Sequence, residues 1–140
     1  MILLDTNVLS EPLKPTPDPR VIAWLDSQII ETLFLPTTAL AEILTGLEGM
    51  PQGRRRQIAE GTARNILQSL IGPRYLPFDQ AAAETHPLLR IRAQQRGVIV
   101  SFADCQIAAI ASVHRFAVAT RDTAPFLAMD IPTINPWEAN

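Results

Sequence analysis

Met1-Ile2-Leu3-Leu4-Asp5-Thr6-Asn7 opens the chain with a continuous apolar run that stops at an acidic residue. A short unbroken run of this kind reads as a buried strand of a parallel sheet. Such strands are covered on both faces and so do not alternate apolar with polar residues. The same reasoning finds extended pieces downstream. They are Thr32-Leu33-Phe34-Leu35, stopped by Pro36; Tyr75-Leu76-Pro77-Phe78; Ala117-Val118-Ala119-Thr120; and a weaker piece over 131–134, ahead of Pro136 and Trp137.

Helical patterns lie between these pieces. Asp18-Pro19 is a helix start, with Asp18 as N-cap and proline in the first turn. That helix carries Val21, Ile22, Trp24 and Leu25 to about Gln28. Thr37 or Thr38 caps a helix holding Leu40, Ala41, Ile43, Leu44 and Leu47, which ends near Gly49. Positions 54–71 show helical spacing at Ile58, Ala63, Ile66, Leu67 and Leu70, and Gly72-Pro73 ends the pattern. Asp79 caps a helix over 80–96, closed by Gly97, and His86-Pro87 inside it predicts a kink. Ser101 opens a helix that runs to His114. Strands alternating with helices predict an α/β fold: a central parallel sheet of four to five strands covered by helices on both faces. With 140 residues and no repeat, linker or low-complexity segment, the expectation is a single domain over 1–140.

Composition narrows the function classes. A hydrophobic fraction of 47% with 19% charged residues is globular rather than disordered. A net charge of −2 argues against a broad basic face, so any contact with nucleic acid must be local or assisted by metal. The lone Cys105 excludes a disulfide framework within the chain and argues against a cysteine-based zinc site. His86 and His114 form no HExxH pair. The opening apolar run ends at Asp5, and no run approaches the roughly 20 apolar residues that span a bilayer. The expectation is a cytoplasmic protein without a membrane partner.

Ligands of parallel α/β sheets bind beyond the carboxyl ends of the strands. That rule selects four carboxylates. Asp5 ends the first strand, Glu42 lies one turn into the helix after the second, Asp104 stands in the first turn after Ser101, and Asp122 follows the fourth strand. Phosphodiester hydrolysis explains such a set, because it needs an activated water and neutralisation of charge on the phosphorane. Mg²⁺ supplies both and prefers a few carboxylates plus waters. Carboxylates this close repel one another, so the cluster is unfavourable without a cation. Each residue alone also fits a structural role. Asp5 suits a strand-ending turn, Glu42 a solvated helix face, Asp104 the acid of a Ser101-Phe102-Ala103-Asp104 capping box, and Asp122 an Asx-turn. Spacing alone does not bring the four together. The runs Arg54-Arg55-Arg56 and Arg90, Arg92, Arg96 read as solvated faces or a basic rim, Trp24 and Trp137 as packing residues, and Cys105 as a small buried apolar residue.

Several blocks resemble the PIN-domain family of VapC-type toxins. They are 1–9 (Met1-Ile2-Leu3-Leu4-Asp5-Thr6-Asn7-Val8-Leu9), Ala41-Glu42, 103–109 beginning Ala103-Asp104-Cys105, and 119–126 beginning Ala119-Thr120-Arg121-Asp122. Ser10-Glu11-Pro12 and Asn135-Pro136-Trp137 are similar to its FitB-like branch. The blocks occur in family order over nearly the whole chain. The resemblance implies a PIN-like fold and an endoribonuclease dependent on Mg²⁺ or Mn²⁺. It carries catalytic and metal-ligand roles onto Asp5, Glu42, Asp104 and Asp122, with Asp5 and Asp104 as direct ligands, and supporting polar roles onto Asn7 and Thr120. The family often has Asn where Asp122 stands. The resemblance also implies an RNA substrate, a homodimer, and a cognate antitoxin through which alone the protein meets operator DNA. The antitoxin tail is expected in a groove between the 40–47 helix and the helix carrying Trp24. The alternative is a catalytically weak PIN module acting mainly through antitoxin and operator DNA. A haloacid-dehalogenase-type phosphotransferase fits less well, since position 7 is Asn and the only lysine is Lys14. A receiver domain, which needs a late lysine, fails for a related reason.

Overall fold

The opening apolar run forms β1 (Ile2–Leu4), and it becomes the middle strand of the sheet. The computed structural model describes residues 1–138. Four more strands follow: β2 (Leu33–Pro36), β3 (Tyr75–Leu76), β4 (Ala117–Ala119) and β5 (Thr133–Ile134). Their order is β3-β2-β1-β4-β5, and every pairing is parallel. Ile2 stands opposite Leu33 on one side and Ala117 on the other.

Among the described residues seven helices flank the sheet: α1 (Thr6–Ser10), α2 (Pro19–Ser27), α3 (Thr37–Glu48), α4 (Arg54–Ile66), α5 (Gln80–Gln95), α6 (Phe102–His114) and α7 (Ala124–Ala128). Strand alternation divides the interior into two cores. Leu3 and Val118 point into one, with Ile107, Ile110 and Phe126 of α6 and α7. Leu4 and Ala119 point into the other, with Val8, Val21, Ala39 and Ile43 of α1 to α3. This is the sandwich of helices on both faces expected for buried parallel strands.

The caps at Asp18, Asp79 and Ser101 form as the sequence suggests, each side chain accepting a backbone N–H from the first turn. Three details differ from expectation. No threonine caps α3: Thr37 is already helical, extended Pro36 takes the N-cap position without a side-chain bond, and the Thr38 hydroxyl is buried without a partner among the described residues. The 54–71 pattern does not stay α-helical; Leu67–Ile71 widens into a π-helical turn closed at Gly72, whose φ is 56°. The short helices α1 and α7 appear where turns were read. Helix α5 passes through Pro87 as one helix.

Strand order places the site. The chain runs from β1 outward to β2 and β3, then returns to lay β4 on the opposite side of β1. The carboxyl ends of β1 and β4 therefore border the topological switch point, where connections diverge and leave a crevice.

Candidate active site

Asp5 occupies that crevice. Its backbone N–H donates to the Ala119 carbonyl at 2.9 Å, continuing the β1–β4 ladder by one bond. Its side chain then turns to cap α1, and Oδ1 accepts the Thr6 N–H at 2.7 Å. Oδ2 accepts the Thr120 hydroxyl at 2.8 Å. Thr120 is fully buried just past β4, and its Oγ1 also accepts the Asp122 N–H at 3.2 Å. One hydroxyl thus ties the ends of both switch-point strands together.

Burial pushes the Asp5 carboxyl above the usual carboxylate range. The bonds from Thr120 and Thr6 pull it down, and the charges of Asp104 and Glu42 push it up further. Asp104 is half-buried on the first turn of α6. Its carboxyl is also raised, by burial first, with the Ser101 hydroxyl opposing and the Asp122 charge adding to the rise. These couplings link all four sequence-selected acids: Glu42 and Asp104 act on Asp5, and Asp122 acts on Asp104. Among the described residues none of the four makes an ion pair.

Glu42 is exposed on α3 and forms one end of a groove of about 570 Å³ that also includes Thr6. The groove runs between α3, α4 and the 3-10 turn Glu11–Leu13, past Leu47, Met50 and Ile58, with Lys14 and Arg55 on its walls. It lies against α4 rather than against the helix carrying Trp24, because the 54–71 segment packs over α3 on this face.

Two buried polar atoms beside Asp5, Thr6 Oγ1 and Asn7 Oδ1, have no partner among the described residues. Orphaned oxygens next to uncompensated carboxylates suit a hydrated cation, whose waters donate hydrogen bonds to both. Among the described residues no three His, Cys, Asp or Glu side chains stand together as a ready-made cage. A donor set short of a full cage suits an ion that keeps several waters.

Several of the remaining sequence candidates have structural partners. Arg56 pairs with Glu60 at 2.6 Å and Glu48 at 3.0 Å, pinning the start of α4 to the end of α3. Arg92 and Arg96 pair with Asp130 at 3.5 and 2.7 Å. Cys105 is buried, and its thiol donates to the His86 carbonyl at 3.3 Å. Sequence reasoning missed the Thr6 hydroxyl and N–H, for which the Asp5-Thr6 step at a strand end was the only signal.

A family model described as PIN domain matches residues 2–131. The chain belongs to the PIN-domain family. It is 46% identical over 138 residues to a protein named VapC ribonuclease Y4jK from Sinorhizobium fredii, covering 99% of each. It is 42% identical over 137 residues to Toxin FitB from Neisseria gonorrhoeae, covering 98% of this chain and 99% of that one. The crystal structure of FitAcB from Neisseria gonorrhoeae matches at a TM-score of 0.92 and 41% identity, over 99% of this chain and 100% of that one. In this PIN domain Asp5 and Asp122 follow the carboxyl ends of β1 and β4, the two strands at the switch point. Among the described residues no helix is long and apolar enough to cross a membrane.

Proposed function

We propose that this PIN domain, a single domain over 1–140, is a metal-dependent endoribonuclease and the toxin of a toxin–antitoxin pair. The observation that carries the reading is a buried Asp5 coupled to Glu42 and Asp104, and through Asp104 to Asp122, at the switch point with no cation among the described residues paired to any of them. Relatives at 42–46% identity named as a VapC ribonuclease and as a toxin support it.

Asp5, Asp104, Glu42 and Asp122 would hold Mg²⁺ or Mn²⁺, with Asn7 and Thr120 in support. Such an ion would supply charge neutralisation at the phosphate and activation of water. The chain's own contribution is preorganisation. Thr120 and Thr6 fix both oxygens of Asp5 before substrate arrives. Asp104 is fixed by the first turn of α6, whose Ser101 cap accepts the Asp104 N–H at 3.1 Å. Glu42 is exposed on α3, where it lines the groove.

The partners follow from the same reading: RNA as substrate, a cognate antitoxin along the groove, operator DNA through that antitoxin only, and a second copy of the chain. Exposed Leu88 and Ile91 on α5 support a homodimer face. A cytoplasmic location agrees with an RNA substrate. The deciding experiment maps new RNA ends after induced expression and then repeats the cleavage with purified protein. Cleavage that needs Mg²⁺ or Mn²⁺ and stops with EDTA is expected. Absence of any metal-dependent cleavage overturns the enzyme reading and leaves a binding module acting through its antitoxin.

A further inference from the structure

The Asn135-Pro136-Trp137 segment is absorbed by neither the acid cluster nor the groove. It folds back onto the end of β4. The Asn135 side-chain amide donates to the Arg121 carbonyl at 3.3 Å, and its oxygen accepts the Trp137 N–H at 3.0 Å. That clasp sets the Trp137 ring under the Arg121 guanidinium, whose carbon lies 5.3 Å from the ring centroid. Trp137 is buried, whereas Arg121 is exposed. Arg121 stands between Thr120, which bonds Asp5, and Asp122 of the acid set.

Arg121 makes no ion pair among the described residues. Asp18 lies near enough to feel its charge, but both Asp18 oxygens are taken by Arg20, at 3.1 and 2.8 Å. A free guanidinium held on an aromatic face, beside a carboxylate site, has two uses left: its planar fork and its charge. Both match a phosphate oxygen pair. The ring attracts the cation and restricts a side chain that otherwise loses much rotamer freedom on binding.

We propose that Arg121 binds a backbone phosphate of the RNA strand flanking the cleavage point, and that Trp137 is a positioning residue that holds it there. This rests on the ribonuclease reading above. In an acidic protein, such a contact supplies the local positive charge that draws a polyanion to a carboxylate-lined site.

The test uses a fluorescein-labelled single-stranded RNA that the wild-type protein cleaves. Its binding to an Asp5→Asn background in Mg²⁺ is measured across a salt series. Removing one phosphate contact with Arg121→Ala should weaken binding roughly tenfold. It should also flatten the slope of log affinity against log salt by about 0.7. Arg121→Lys should keep the slope and lose part of the affinity. Trp137→Leu, which keeps apolar bulk, should weaken binding when Arg121 is present and change nothing when Arg121 is already alanine. An equal Trp137→Leu loss in both backgrounds makes Trp137 merely structural and overturns its positioning role. Unchanged affinity and slope in Arg121→Ala overturn the phosphate contact while leaving the nuclease intact, even where affinity for a protein partner falls. If the wild-type protein cleaves no RNA, the underlying reading fails and this inference fails with it.

Discussion

Thr120 donates its hydroxyl to Oδ2 of Asp5 at 2.8 Å, across 115 positions of sequence, and the bond is buried. The residues end adjacent parallel strands, so the bond is the side-chain continuation of the β1–β4 ladder. It fixes the orientation of the most buried acid of the site.

Thr120→Val keeps the shape and removes the hydroxyl. It leaves Asp5 Oδ2 without its donor and the Asp122 N–H without its acceptor. The expected cost is about 1–3 kcal/mol, read from urea unfolding. The Thr120 bond lowers the Asp5 pKa, so the variant's carboxyl should rise further and the pH–rate profile should move to higher pH. Thr120→Ser should restore both. A Thr120→Val profile that coincides with wild type would remove Thr120 from any role in tuning Asp5.

Asp5→Asn should reduce cleavage by roughly 10²-fold or more, the scale of losing one preorganised charged contact in an active site. It should also stabilise the metal-free protein. The sign follows from the raised Asp5 pKa. A carboxyl raised in the folded state costs stability above its folded pKa, and the cost disappears as pH falls through that value toward the unfolded one, about 3.9. The gain in Tm of Asp5→Asn over wild type should therefore be largest near neutrality and vanish near pH 4. Comparing the two proteins at each pH cancels Asp18, held down to about 2 by its bonds from Arg20, and Glu11 and Asp130, which are also lowered. A gain independent of pH would show that charge on Asp5 is not what the substitution relieves.

Glu11 obeys the opposite sign. It is 3% exposed; Oε1 accepts the Asp18 N–H at 2.8 Å, and Oε2 pairs with Lys14 at 2.8 Å. Burial pushes its carboxyl up, but the bonds from Lys14 and Asp18 outweigh burial and lower it. Its stabilisation is present above the unfolded pKa and is lost as pH falls through the lower folded value. Glu11→Ala should cost about 1–3 kcal/mol at neutral pH. Glu11→Gln should show a shallower acid loss than wild type in urea midpoints between pH 6 and about 3, a window set by the glutamate reference value near 4.3. Identical acid limbs would mean that the clamp on the 14–18 loop does not depend on charge.

The strand-and-helix order was legible because buried parallel strands leave unbroken apolar runs and because Asp18, Asp79 and Ser101 announce their helices. Helix α1 was not legible: five residues starting Thr6-Asn7 have weak intrinsic helix preference, and the helix exists because Asp5 caps it against the sheet edge. Acids after strands could be read from position alone. Their coupling could not, since it depends on β4 returning beside β1. The Arg121–Trp137 shelf was hidden for the same reason: it is created by β5 pairing with β4.

The proposed antitoxin should compete with the metal. The groove is lined by Glu42 and by Thr6, the neighbour of Asp5, and by a mostly apolar wall that includes Leu47, Met50 and Ile58. An antitoxin tail whose apolar side chains fill that wall would bring its end near carboxylates that are unpaired among the described residues and mutually repelling. An arginine there gains the most, because its fork pairs with a carboxylate through two bonds and stays charged at any relevant pH. It then occupies the charge position of the cation. Linkage fixes the consequence: if Mg²⁺ weakens the complex by some factor, antitoxin weakens Mg²⁺ binding by the same factor. The measurement is a titration of the protein with its cognate antitoxin at rising Mg²⁺, with NaCl adjusted to hold ionic strength constant, so that screening does not imitate competition. Affinity should fall as Mg²⁺ rises, and Asp5→Asn should blunt the fall. An affinity indifferent to Mg²⁺, together with full inhibition by an antitoxin whose tail arginines are all alanine, would mean that inhibition works by covering the groove and leaves the acids free.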